Sequence, residues 1–438
     1  MCRNLFSELG TLGRNNRTRE GFFMKKLFVF SLLALLFFSV SAFGLVTLEY
    51  WTGFTGPDGS FMQELVDKFN EEHKDEIQVN MSTMLWADYN TKVPIALASG
   101  KGPDVGIAHV DNIRSLVSQG MLLPLDEYLE IMNMKEGDIV PSVWDAVHVD
   151  SNVYGIPLDV HPLVFYWNKD LFKEAGLDPE NPPMTRDEFI KAAKLLTKDT
   201  NGDGTIDQWG TMIPVGWPNY FMWFSAFFSN GGVLFNEDLT KAAFNSPAGI
   251  DAMQFFVDLV FKHKVSPEKV QVDADIDAFK RGTCAMEFNG IWMLTDYMKV
   301  EGVSFGAGPV PQFGSERPAN WAGSHTMVIY RQRKQDKERT EAAAKFVSWI
   351  SNHSYEWALA GQIPANISVQ NSPEFQSLPY HSTIAKGAQF VVFPPFFPKY
   401  GDATGPIWEA LNLAILGQKT VEQALSDAER ISNEILQD

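Results

Sequence analysis

The sequence predicts an α/β protein built as two lobes, and three observations carry that expectation. The chain has 438 residues, beyond the ~250–300 at which a single hydrophobic core stops growing. Short β-branched and aromatic runs alternate with segments of helical period, the order of a mixed, mostly parallel sheet flanked by helices. Neither an internal repeat nor a low-complexity linker divides the chain, so it is expected to cross between the lobes more than once.

Hydrophobic residues make up 45% and charged residues 21% of the chain, an ordinary globular composition. The formal net charge of −18 argues against a nucleic-acid partner, because phosphate binding needs clustered Lys and Arg. Only Cys2 and Cys284 are present, which excludes a disulfide framework and any CxxC metal or redox motif.

The N-terminus reads as a targeting segment. Lys25 and Lys26 open an apolar run from Leu27 to Val40, shorter than the ~20 residues of a membrane-spanning helix. Val40-x-Ala42 or Ala42-x-Gly44 supplies the small residues of a cleavage site, so 24–44 is expected to be a secretory signal peptide. Met24 is a natural start, and residues 1–23 are read as a mis-called one. No cysteine follows the apolar run, so a lipid anchor is not expected. The expected product is periplasmic or otherwise extracytoplasmic, and monomeric.

Leu45–Trp51 reads as a strand ending at Gly53. Ser60-x-x-Gln63 reads as a capping box ahead of Met62, Leu65, Val66 and Phe69 at helical spacing. Ile77–Met81 is a second strand, Val93–Ala98 a helix stopped at Gly100, and Val105–Ala108 a buried strand. Asp111 is expected to cap a helix over Ile113–Gln119, with Gly120 as its stop. Thr185-x-x-Glu188 heads a helix carrying Phe189, Ala192, Ala193 and Leu196. Ala248–Lys262, Ala342–Ile350 and Thr420–Leu436 read as helices, and 320–330 as a strand.

Several segments, in order, carry a resemblance: Tyr50-Trp51; Lys68-Phe69-Asn70; Ala98 to Val105 (ASGKGPDV); Gly120 to Leu125 (GMLLPL); Tyr154 to Leu158 (YGIPL); Phe165 to Phe172 (FYWNKDLF); Phe279 to Met286 with Asn289 to Trp292. Together they resemble the extracellular solute-binding proteins of ABC importers, the carbohydrate-binding family that includes maltose-binding proteins. The resemblance covers nearly all of the chain after the leader. It implies a two-lobed periplasmic binding protein fold (class II-like), with ligand enclosed at a hinge of several crossings. It places those crossings near Ile156–Val160, Cys284–Glu287 and Ile329–Arg331. Lobe I is then 45–157 plus 285–330, and lobe II is 158–284 plus 331–438. It further implies capture of a carbohydrate or polyol and delivery to the permease subunits of an ABC transporter.

A sugar offers hydroxyls in donor–acceptor pairs and apolar C–H faces, which amides, carboxylates and aromatic rings meet. The aromatic clusters fall in segments read as loops. Thr52, Thr55 and Asp58 follow the first strand, and Trp86 and Asn90 the second. Asp111 aligns with a family position that binds sugar hydroxyls, with Asn112 beside it. His161 stands where maltose-binding relatives carry a carboxylate, which suggests a different ligand. Trp217, Asn219 and Tyr220 lie in the densest aromatic segment and are read as ligand-facing, while Phe221, Phe224 and Phe228 beside them recur at helical spacing and read as core. Trp292 matches a family stacking tryptophan, and Trp321, His325 and Tyr400 approach from later segments. Each has a plainer structural reading: a turn for Thr52 to Asp58, a packing anchor for Trp86, an N-cap for Asp111, hinge packing for His161.

Asp199, Asn201, Asp203, Thr205 and Asp207 have the alternating spacing of a calcium loop with glycine sixth. Position twelve is Gly210, so the bidentate carboxylate is missing, and a polar turn is the alternative to a structural calcium. No cofactor is otherwise required, and the 8 histidines show no metal-ligand spacing. The competing function is an exported carbohydrate-active enzyme, a glycoside hydrolase or lyase. No GxSxG, HExxH or phosphate-binding loop supports it.

Overall fold

The computed structural model describes residues 44–388 and 390–437. The expected start at Met24 and all of the export signal except Gly44 lie outside them. Strand β1 spans Val46–Thr52, β2 Ile77–Thr83, β3 Val105–His109, and β4 (His148–Val149) with β5 (Asn152–Val153) makes a small hairpin. Then come β6 (Ile156–Pro157), β7 (Asp159–Asn168), β8 (Trp209–Thr211), β9 (Cys284–Gly290) and β10 (Phe305–Gly308). The last strands are β11 (Ala322–Gly323), β12 (His325–Ile329) and β13 (Ile363–Pro364).

Two main sheets result. The first has the order β2-β1-β3-β12-β6, and the second contains β10-β7-β9-β8 with β11 and β13 also on β7. The expected parallel arrangement holds among β1, β2 and β3. In the second sheet the long central β7 pairs antiparallel with β9 and β10, and only β8 and β9 run parallel. All ten residues of β7 are buried, so its near-continuous apolar run reads as a strand covered on both faces.

Helix α1 (Asp58–Glu72) buries Met62, Leu65, Val66 and Phe69 against the first sheet, the stripe its period predicts. It starts at Asp58 without a side-chain cap, so the expected Ser60–Gln63 box is not formed; Ser60 Oγ instead donates to the Pro57 carbonyl. Helix α2 (Trp86–Ser99) begins earlier than expected and ends at Gly100, whose φ of 71° suits glycine. Helix α3 (Arg186–Leu196) does carry the reciprocal Thr185–Glu188 capping box. Helix α4 (Trp217–Ser229) is nearly all apolar and buried on most sides; it extends the helical spacing of Phe221, Phe224 and Phe228 back to Trp217, Asn219 and Tyr220, which are therefore not in a loop. Helices α5 (Pro247–Phe261), α6 (Lys337–Asn352) and α7 (Ser354–Leu359) follow, then α8 (Tyr400–Ile415) and α9 (Val421–Gln437). Thr420 and Gln423 exchange the bonds of a capping box at the start of α9.

The crossings between sheets differ from expectation at two of three places. The first lies at Leu158, between β6 and β7, as expected. The second lies at Ser324: β11 pairs with β7, while β12 pairs with β3, so 320–330 is two strands rather than one. The third lies between α7 and β13, whose Ile363 pairs with Val160. Cys284–Glu287 is no crossing, because it sits inside β9. Residues 284–290 and 305–308 therefore belong to the second sheet rather than with 45–157. Conversely, Phe346, Val347 and Ile350 of α6 join the core of the first sheet, not that of the second.

Candidate functional site

All three crossings meet at one polar hub. Asp159 opens β7 directly after the first crossing, is wholly buried, and lies on the same strand face as His161 two residues on. His325 opens β12 directly after the second crossing. The Asp159 carboxylate accepts from His161 Nδ1 at 2.8 Å, His325 Nδ1 at 2.7 Å, the His325 backbone N–H at 3.0 Å and Trp357 Nε1 at 2.7 Å. His109, the last residue of β3, completes the group: one ring nitrogen from each of His109, His161 and His325 lies within 4.8 Å of the others.

The electrostatics follow from burial. Burial alone would raise the Asp159 carboxyl, but the His325 and His161 imidazoles hold it well below the usual carboxylate range. Burial, with His325 beside it, pushes His161 down to about 4, against the pull of Asp159. Burial and the other two imidazoles push His109 well below the ordinary histidine value. Asp58, at the start of α1, is raised by burial and feels both His325 and Asp159.

Aromatic rings enclose the hub. Trp86 lies parallel to the His325 ring at 6.0 Å and 4.5 Å from His109. Phe54 meets His325 edge-on at 4.9 Å. On the other side Trp292 and Trp321 stand 5.8 and 5.9 Å from His161. Trp217 continues this wall 5.5 Å from Trp292. Trp86, Trp217, Trp292 and Trp321 are all only half-buried.

A second polar group lies beside this wall. Asp111 does not cap the helix after it, whose N-cap is Asn112 with no side-chain bond. Its Oδ1 is buried without a hydrogen-bond partner, and burial raises its carboxyl to about 6. Tyr400 of α8 and Tyr220 of α4 both feel the Asp111 charge, and burial raises both phenols. Tyr220 lies flat on Trp408 at 4.8 Å. The Asn219 amide, fully buried, has neither its oxygen nor its nitrogen partnered. Orphaned buried polar atoms are costly in a native fold, so such atoms next to a partly open aromatic wall mark where a polar ligand would bond.

The structure therefore brings together His161, His325, Trp86, Trp217, Trp292 and Trp321 as one set, and Asp111, Tyr220 and Tyr400 as an adjoining one. Trp86 sits on helix α2 rather than in a loop. Thr52 is buried and accepts the Phe54 N–H, a turn role, while Thr55 and Asn90 are exposed. Asp199, Asn201, Asp203, Thr205 and Asp207 form an exposed loop of turns. Asp199 accepts the Gly202 and Gly204 N–H groups at 2.7 Å, Asp203 accepts that of Thr205, and Asp207 that of Thr200. Those oxygens face backbone donors, and among the described residues only the histidine trio forms a cluster of three or more metal-ligating side chains. The trio forms without any metal-ligand spacing in the sequence, because its members come from distant strands. His109 and Asp159 were missed because the trio is spread over three strands, although the Asp-x-His spacing at 159 and 161 is a readable same-face pair.

Residues 54–357 match the family described as bacterial extracellular solute-binding protein. The maltotriose-binding protein of Pyrococcus abyssi is 23% identical over 333 residues, 74% of this chain and 68% of the relative. The sn-glycerol-3-phosphate-binding periplasmic protein UgpB of Brucella melitensis is 24% identical over 349 residues, 75% of this chain and 76% of the relative. The structure of the ABC substrate-binding protein Lmo0181 from Listeria monocytogenes in complex with cycloalternan superposes with a TM-score of 0.78. It is 24% identical, with 90% of this chain and 100% of that chain covered, and it shares the fold. Among the described residues no helix is long and apolar enough to cross a membrane.

Proposed function

The chain belongs to the family of bacterial extracellular solute-binding proteins, and from that premise we propose that it captures a carbohydrate or polyol for an ABC importer. The observation that carries this reading is the pairing of half-buried Trp217, Trp292 and Trp321 with the unpartnered polar atoms of Asp111 and Asn219. Indole faces cover the C–H surface of a sugar ring, and buried carboxylate and amide atoms bond its hydroxyls. Asp111 follows β3 of the first sheet, whereas Trp217 and Asn219 lie on α4, whose Tyr220, Trp223 and Phe224 join the core of the second, and Trp292 follows β9 of that sheet. A ligand touching both sets binds the apposed lobes better than the separated ones and shifts the population toward closure.

The proposal extends to partners and place. The closed, loaded protein docks on the permease subunits of the importer as a monomer, outside the cytoplasm, after removal of 24–44 and without a lipid anchor. It is not an enzyme: the solute leaves unchanged. Relatives whose names give maltotriose and sn-glycerol-3-phosphate support a polyhydroxylated solute without choosing among them.

A thermal-shift screen of the exported chain against mono-, di- and oligosaccharides, polyols, uronates and glycerol phosphates tests this. A ligand at 100 times its Kd adds about 2.7 kcal/mol to stability. The expected result is a saturable shift with one class and no change in the sugar recovered. No shift on ligand-free protein overturns the carbohydrate reading, and turnover of a saccharide overturns the carrier one.

A further inference from the structure

We propose that His109, His161 and His325 form a binding site for a divalent transition-metal ion, with zinc the best match. Nothing in this inference requires the solute to be a sugar. It rests on the histidines and their surroundings alone.

The first argument is convergence. Three imidazoles from three strands bring one nitrogen each to within 4.8 Å of the others. Zinc takes imidazole nitrogens at about 2.0–2.1 Å in tetrahedral geometry, which separates them by about 3.3–3.4 Å. The rings must therefore draw in by about 1 Å, within reach of small side-chain rotations. His161 Nε2 packs on Gly323, its cross-strand partner, in the place a side chain there would take, so the glycine admits the ring to this position.

The second argument is tautomer control. Asp159 takes the Nδ1 protons of His161 and His325 on its two oxygens. A carboxylate only accepts, so both histidines carry a proton on Nδ1, which in the neutral ring leaves Nε2 as the lone pair that a metal takes. Metal-bound histidines commonly donate their other nitrogen to a carboxylate in this way, which fixes the ring and raises its basicity. Here one carboxylate serves two of the three rings, and Trp357 and the His325 backbone hold that carboxylate in turn. Among the described residues no protein group hydrogen-bonds Nε2 of His161 or His325, or either ring nitrogen of His109. Those nitrogens are thus available to a cation, with the rings of Trp86, Phe54 and Trp292 around them.

The third argument is the ligand set. Three imidazoles select a borderline ion such as zinc over calcium or magnesium, which prefer oxygen. Three protein ligands also leave the fourth tetrahedral position to an oxygen of water or of the solute in the cleft.

The test titrates the chelator-treated, dialysed chain with ZnCl2, and separately with MgCl2, by calorimetry, and follows CoCl2 by visible absorption. One equivalent of zinc, no heat with magnesium and the intense visible bands of tetrahedral cobalt are expected. Asp159→Asn should lower zinc affinity about 10–100-fold. His109→Ala, whose ring carries no hydrogen bond that the fold depends on, should stay folded and lose more. No saturable zinc binding, or zinc binding unaltered in His109→Ala, overturns the proposal. A metal-free chain that still shifts with a sugar would leave the solute reading standing while this one fell. Zinc binding without any sugar response would do the reverse.

Discussion

His325 is tied to Asp159 by two bonds, its backbone N–H to Oδ1 at 3.0 Å and its ring Nδ1 to Oδ2 at 2.7 Å. The first residue belongs to β12 of one sheet and the second to β7 of the other, so one carboxylate joins the crossings. Removing it leaves His161, His325 and Trp357 with buried donors and no acceptor. Asp159→Ala should therefore cost several kcal/mol, at about 1–3 kcal/mol for each buried donor left unsatisfied. Urea unfolding of parent and variant measures it. A change under about 0.5 kcal/mol, ordinary for a surface substitution, would show that the hub does not hold the hinge.

Asp111 should behave in the opposite way. Its Oδ1 is buried without a partner, and burial raises its carboxyl to about 6. A raised carboxyl contributes stability that is full below its unfolded value and lost as pH rises through the folded one. The ligand-free protein should thus lose stability between about pH 4 and pH 6 through this group. Asp111→Asn removes that loss, so its Tm at pH 7.5 should exceed the parent's while solute affinity falls. Melting curves across that pH range, paired with a binding isotherm, check both halves. A variant with lower Tm and intact binding would assign Asp111 to the fold.

Glu287 gives a pH effect remote from the hinge. It is fully buried on β9, accepts the Tyr297 hydroxyl at 2.6 Å and the Asn289 amide at 3.0 Å, and neighbours the buried Asp275. Burial first, then Asp275, raises its carboxyl above the usual range. Its contribution is present at acid pH and is lost as the medium passes from the ordinary carboxylate range through neutrality. Glu287→Gln keeps the shape and should flatten that decline. Denaturant midpoints at acid, neutral and mildly alkaline pH measure it, and parallel declines in parent and variant would point to another group.

How much of this was legible in the sequence follows from the range of each interaction. The α1 stripe of Met62, Leu65, Val66 and Phe69, and the Thr185–Glu188 and Thr420–Gln423 boxes, are local patterns and survive intact. The break at Ser324 was not legible, because Ala322–Gly323 and His325–Ile329 read as one β-rich run and only their partners divide them. Helix α4 was legible only in part: Phe221, Phe224 and Phe228 recur at helical spacing, but a segment buried on most sides has no polar face to show where the helix begins. His109, His161 and His325 carry no local spacing signal: His109 and His325 meet by the long-range pairing of β3 with β12, and His161 of β7 joins them only at the crossings.

Trp292 should matter to binding and little to folding. It is half-buried, 5.5 Å from Trp217 and 5.8 Å from His161, between the two in the aromatic wall. Aromatic stacking is worth about 0.5–1.5 kcal/mol beyond area burial, so Trp292→Ala should weaken solute affinity by at least about 3–10-fold. Calorimetric titration with the solute found by screening gives the number. Unchanged affinity at parental Tm would remove Trp292 from the binding surface.

Gly323 fixes where His161 can lie. A Cβ built on this glycine would stand 2.2 Å from His161 Nε2, closer than any real contact, and the two residues are cross-strand partners in β11 and β7. Gly323→Ala must therefore push the imidazole aside, breaking its bond to Asp159. The expected cost is about 1–3 kcal/mol, the usual range for overpacking. The cause is separable by a double-mutant cycle. In a His161→Ala background the ring is gone, and adding Gly323→Ala should then cost almost nothing. Residues in contact couple by about 0.5–3 kcal/mol, so the missing increment should be of that size. Full additivity of the two substitutions would mean that Gly323 is needed for the backbone of β11 rather than for the ring above it.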